Sequence, residues 1–146
     1  MEAPVYKDIL FPIDLNHESS WVGVLPSVIE YCKTFNSRLH VVTVVPDFSM
    51  PLVGSYFPAN FGDKMVEDTN KRLHAFIREH VPSEVHVQHI VAEGVVYKEI
   101  IRVANEVDAD LIIMASHRPE LGDFLVGPNA ERVVRHFNKS VLVVRN

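Results

Sequence analysis

Five short runs of apolar, largely β-branched residues recur along the chain, and what lies between them is mostly segments whose apolar residues step by three and four. The runs are Asp8–Asp14, Leu39–Val45, Val85–Val91, Asp110–Ala115 and Ser140–Arg145. Between them, the polar group Asn16 to Ser20 reads as a helix start, and from about Ser20 to a stop at Asn36 and Ser37 the residues Val24, Leu25, Val28, Ile29, Cys32 and Phe35 mark one helical face; Met65, Thr69, Leu73, Phe76, Ile77 and His80 mark a second. Ile100, Ile101, Ala104 and Val107 give a third, and Ala130, Val133, Val134 and Phe137 a fourth. Continuously apolar strands joined by helices imply a parallel sheet buried on both faces, because parallel neighbours need long crossovers and those crossovers are right-handed. The expectation is a doubly wound α/β fold, a five-stranded parallel sheet with helices on both faces, formed by residues 1–146 as a single domain.

Composition narrows the function classes. A net charge of −5 argues against a surface that tracks a nucleic-acid backbone. No run reaches the ~18 consecutive apolar residues of a membrane helix, and the first residues show no basic-then-apolar leader, so a cytoplasmic protein is expected. Cys32 is the sole cysteine, which rules out an internal disulfide and a zinc ribbon. Among the eight histidines, His86 and His89 fall on opposite faces of a strand, and His74 and His80 point apart on a helix. No metal site is expected.

In a doubly wound sheet, ligands sit beyond the carboxyl ends of the strands where the strand order reverses. That rule selects Pro12 to Leu15, Val44 to Pro46, and Met114 to Arg118. The last of these carries a hydroxyl, an imidazole and a guanidinium in Ser116, His117 and Arg118, and a helix start follows at Gly127, Pro128 and Asn129. Free N–H groups and the positive end of the helix dipole suit an anion there, and Arg118 adds a planar fork for phosphate. The same residues also read as an N-cap glycine, a first-turn proline and an ordinary polar loop. Residues 46 to 62, rich in proline and aromatics, read either as a loop packed on its own domain or as a lid or partner contact.

Asp8 to Asp14, Leu39 to Pro46 and above all Asp110 to Arg145 resemble the universal stress protein family. Most specific are the Met-Ala-Ser-His-Arg-Pro loop from Met114, the Gly-x-Asn-Ala turn from Gly127, and Val-Val-Arg-His from Val133 followed by Ser-Val-Leu-Val-Val-Arg from Ser140; these are similar to a small bacterial subgroup. The resemblance implies a cytosolic homodimer of this five-stranded fold that binds ATP or AMP, with Mg accompanying ATP, and acts as a regulator in the stress response. By resemblance, Asp14 would meet the ribose or the adenine edge, and Pro12, Leu15 and Val44 would form the adenine pocket. Met114, Ala115, Ser116, His117 and Arg118, with Gly127, Pro128 and Asn129, would line the phosphates. The chain departs from the ATP-binding pattern Gly-x2-Gly-x9-Gly-Ser/Thr: Ala115 and Arg118 replace the first two glycines, eight residues rather than nine precede Gly127, and Pro128 replaces the hydroxyl residue. Proline there removes an N–H and a hydroxyl that would meet phosphate.

Two other functions compete. One is a dimeric interaction module that has lost nucleotide binding. The other is a weak ATP hydrolase built on Asp14, Ser116 and His117, although no Gly-x4-Gly-Lys-Ser/Thr loop is present to hold Mg-phosphate. In the expected strand order Val141 to Val144 lie on a sheet edge, and pairing of two copies there would remove an exposed apolar strand.

Overall fold

The computed structural model describes residues 5–46, 60–116 and 127–145. Five strands run parallel in the order β3-β2-β1-β4-β5. They are β1 (Asp8–Pro12), β2 (Arg38–Val45), β3 (Val87–Glu93), β4 (Leu111–Ala115) and β5 (Ser140–Val144). The described helices are α1 (Leu25–Phe35), α2 (Phe61–His80), α3 (Val96–Glu106) and α4 (Pro128–His136), with a single 3-10 turn at Glu18–Ser20 before α1. No described helix is long and apolar enough to cross a membrane.

Alternation along each strand divides the core between the two faces of the sheet. Ile9, Phe11, Leu39, Val41, Leu111 and Ile113 pack under α1 and α2, where they meet Val28, Leu73 and Ile77. Leu10, Val42, Ile112 and Met114 face α3 and α4, where they meet Ile100, Val103, Ala130 and Val133. The continuously apolar strand sequences exist because both faces are covered. Cys32 is buried on the inner side of α1, and desolvation pushes its thiol up to about 11.

Local chemistry sets the element ends. Pro26 occupies the first turn of α1, where a missing N–H is tolerated, and Asn36 ends the helix in the left-handed region at φ 52°. The helix expected from about Ser20 thus starts at Leu25, because residues 18–20 form a tighter turn first. The strand expected from Val85 starts at Val87: the Val85 N–H is tied to Pro82 O in a turn, while its side chain is buried like a strand residue's. At Gly94 the chain leaves β3 with φ 138°, a backbone that L side chains rarely adopt. Most of the Pro- and aromatic-rich stretch after β2 lies outside the described residues, but its last two, Phe61 and Gly62, open α2.

The β1–β4 seam differs from its neighbours. β1 pairs with β2 over five positions, and β4 with β5 over five, whereas among the described residues β1 meets β4 only through Ile9 with Leu111 and Leu10 with Ile112. Beneath those pairs Asp110 braces the joint, its carboxylate accepting the Lys7 and Asp8 N–H groups and its own N–H donating to Asp8 O. Above them the ladder between the two strands ends.

Beside that brace lies a buried polar group. Arg38 donates from Nε and Nη2 to the Asp8 carboxylate, His40 Nε2 lies 2.9 Å from Asp8 Oδ1, and His40 Nδ1 lies 2.7 Å from Gln88 Oε1. Burial alone would raise the Asp8 carboxyl, but the hydrogen bonds and charges of His40 and Arg38 outweigh it and hold the group below its ordinary value.

Candidate functional site

Where the β1–β4 ladder ends, the structure opens a cavity of about 340 Å³. It lies at the carboxyl ends of β1, β2 and β4, which is the switch point of the strand order, since the chain runs outward from β1 to β3 on one side and from β4 to β5 on the other. A volume of that size is at the small end of the ~300–1,000 Å³ range of small-molecule sites.

The β1 side supplies Pro12, Ile13 and Asp14. Ile13 extends the ladder one residue past the strand through its N–H to Val42 O, and then the chain turns on Asp14. The Asp14 carboxylate accepts the Asn16 N–H on Oδ1 at 2.9 Å and meets His17 Nδ1 on Oδ2 at 2.8 Å. Ser20 Oγ accepts the Asp14 N–H and lies within hydrogen-bond reach of both Asp14 O and His17 O, so one hydroxyl closes the loop. From outside, Arg72 of α2 reaches Asn16 Oδ1 at 3.2 Å. Trp21 follows the 3-10 turn and packs edge-on against Phe76 of α2, which seats the loop on the domain.

The floor is apolar, with Val42 and Val44 from β2 and Met114 and Ala115 from β4. Ser116 continues β4, its N–H donating to Val144 O, and its carbonyl accepts the Gly127 N–H at 3.3 Å. That bond brings the start of α4 to the end of β4. Gly127, Asn129 and Ala130 therefore reach the cavity, and the first-turn N–H groups of a helix have no partner within the helix itself.

Of the residues singled out in the sequence, Pro12, Asp14, Val44, Met114, Ala115, Ser116, Gly127 and Asn129 line this one cavity. Leu15 and Pro128 are not on its wall. The turn at Asp14 swings Leu15 away to pack against the α1/α2 core, and Pro128 is the exposed first residue of α4. His117 and Arg118 lie outside the described residues. His17, Ser19 and Ser20, which read in the sequence as a helix start, also line the cavity, as do Val96 and Ile100 of α3, which form a further apolar wall. Extending the strand-end rule to the third strand, with Gly94 as its turn, would have found the last two.

The structure adds one histidine contact to those weighed in the sequence. His74 of α2 and His89 of β3 approach to 5.3 Å between ring centroids, a pairing that spacing along either element does not reveal. Partial burial, and then the neighbouring His74, lower the His89 pKa. No three His, Cys, Asp or Glu side chains converge among the described residues.

Comparison with known proteins then decides the family. The family model for the universal stress protein family matches residues 5–145. The chain belongs to the universal stress protein family. It is 26% identical over 158 residues to Universal stress protein MJ0577 of Methanocaldococcus jannaschii, covering 97% of this chain and 96% of that one. The solved structure of MJ0577 superposes with a TM-score of 0.79 over 97% of both chains. Two universal stress proteins solved with nucleotides share the fold at lower identity. One, in complex with cAMP, gives a TM-score of 0.60 at 19% identity over 96% of this chain and 97% of that one. The other, from Archaeoglobus fulgidus in complex with dAMP, gives 0.60 at 18% identity over 95% and 98%.

Proposed function

We propose that this universal stress protein binds an adenine nucleotide, ATP or AMP, in the crevice between β1 and β4, and that it works as a cytoplasmic homodimeric regulator rather than a catalyst. The observation that carries this reading is the convergence, at the switch point, of an apolar slot, a carboxylate and a helix start. In it the base lies among Pro12, Val42, Val44, Val96 and Ile100, and Asp14 accepts from the ribose or the adenine edge. The phosphates meet the N–H groups of Asn129 and Ala130 together with Ser116; His117 and Arg118, which the sequence adds to this group, lie outside the described residues. Asp14 is the one carboxylate on the described wall, so Mg would enter already bound to the phosphates of ATP. The family members solved with cAMP and dAMP support the choice of an adenine nucleotide. For the dimer, the support is the place of β5, an edge strand whose Val141, Leu142, Val143 and Val144 are all half-buried in the single chain.

The test is to denature the purified protein, identify any adenine nucleotide released, and titrate the refolded or stripped chain with ATP and AMP. Binding at micromolar to millimolar ligand is expected; none at millimolar ligand overturns the reading. Light scattering after size exclusion tests the dimer, and a soluble monomer counts against pairing at β5. A second reading, an interaction module without nucleotide, is favoured by Pro128, which removes one N–H from the start of α4. It predicts the dimer without the ligand.

A further inference from the structure

We propose that His74 of α2 and His89 of β3 form a seat for a Zn2+ ion, which takes one imidazole from the helix and one from the edge strand of the sheet. The site is separate from the crevice and does not depend on the nucleotide reading. Alternation places His89 between Val87 and Val91, which pack into the core that α2 covers, and in register with Val41 of β2. His74 meets it from the helix, the ring centroids 5.3 Å apart and the ring planes inclined by 57°. Two imidazoles on one tetrahedral Zn2+ have much the same spacing: with Zn–N bonds of about 2.0–2.1 Å and ring centres about 1.1 Å behind the ligating nitrogens, the centroids fall about 5 Å apart.

The surroundings leave both rings open to an ion. Neither imidazole hydrogen-bonds to another described residue, so no carbonyl or carboxylate among them already claims a ring nitrogen. β3 is an edge strand, His74 is exposed and His89 half-buried, so an ion can enter from solvent and keep water in its remaining positions. No third His, Cys, Asp or Glu joins the pair among the described residues, which makes the seat an open one. Protonation also suits it. Partial burial, and then His74, lower the His89 pKa, so that ring is neutral, as a ligand must be, over more of the pH range. Two imidazolium rings this close would repel, whereas one ion shared between two neutral rings draws them together. The charged groups nearby are Lys71 and Arg78, a turn to either side of His74; both are exposed and screened by water, and Lys71 lies 3.5 Å from Glu67. On the strands, Val87, Val91, Leu39, Val41 and Thr43 share the face of His89 and are uncharged. An ion held in this way ties α2 to the outermost strand.

Zinc chloride is the probe, titrated into the full chain, freed of nucleotide, near neutral pH and followed by calorimetry. One ion per chain should bind at submillimolar concentration. In His74→Gln, and separately in His89→Gln, affinity should fall about a hundredfold, because the second imidazole acts at high effective concentration once the first has bound. His86→Gln, which removes an exposed imidazole from the other face of the same strand, should leave binding as it is. Zn2+ should also raise the melting temperature of the unmodified chain and of His86→Gln, but not of the two seat variants. His74 is exposed on its helix, so His74→Gln keeps the fold and decides the matter alone if His89→Gln does not. No binding at millimolar Zn2+, or binding that keeps its strength in His74→Gln or in a folded His89→Gln, overturns the inference and leaves the nucleotide reading untouched.

Discussion

Asp8 and His40 join β1 to β2 at the end of the sheet opposite the crevice, Oδ1 to Nε2 at 2.9 Å, with both side chains nine-tenths buried. Arg38 grips the same carboxylate from the rim.

The consequence is acid sensitivity with a definite sign. The folded-state carboxyl titrates below the unfolded one, so the stabilisation is fully present above the ordinary Asp value of about 3.9 and is lost as pH falls through the folded value. Asp8→Asn should cost about 2 kcal/mol near neutral pH, the scale of losing a charge-assisted hydrogen bond to a buried partner. Urea melts of the two proteins should draw together as pH falls below the ordinary Asp value of about 3.9. A gap independent of pH would show that packing, and not the charge, accounts for the loss.

Gly94→Ala should destabilise the fold by about 1–3 kcal/mol, because φ 138° lies in territory that is almost exclusively glycine's. The added Cβ would also come within 3.1 Å of Glu99 Cγ, a flexible neighbour that can yield. The strain therefore sits in the backbone, and a double variant that also carries Glu99→Ala should recover little of the melting temperature.

Cys32 should be inert in the native protein. Its thiol is buried and raised to about 11, so at about pH 8 both access and thiolate are lacking. A disulfide-exchange reagent should react fully after denaturation and at the rate of opening before it. Fast native labelling would mean that α1 lifts from the sheet far more readily than its packing indicates.

Pro128→Ser should tighten ATP binding by about tenfold: although Pro128 itself stands off the cavity wall, the change restores an N–H at the first position of α4, between the wall residues Gly127 and Asn129, and adds a hydroxyl, each able to donate to a charged oxygen. Adenosine affinity should hardly change. Calorimetry with both ligands decides the matter, and an equal gain for adenosine would place the effect outside the phosphate region.

How far the fold could be read from residues depended on which force set each feature. The strands were legible because burial on both faces makes Ile9 to Phe11 and Leu111 to Ile113 apolar without interruption. The Asn36 stop was legible because few residues adopt that backbone. Val85 misled because a turn residue can be as buried as a strand residue. Leu15 misled for a related reason: adjacency to Asp14 in the chain says nothing about which way the next side chain leaves the turn. His17 read as part of a helix start because polar groups before a helix have that role so often. Its bond to Asp14 belongs to a local loop that Ser20 closes six residues on, a backbone turn that no apolar period marks. The approach of His74 to His89 joins two elements and has no trace in either.

The short β1–β4 seam gives the molecule the form of a two-leaved book bound along a brief spine. One leaf holds β1, β2 and β3, the other β4 and β5, and Asp110 stitches them at the bound edge. A guest between the open edges touches both leaves, so it acts as a clasp. Its binding energy then adds to the cohesion of the whole sheet rather than to that of one loop.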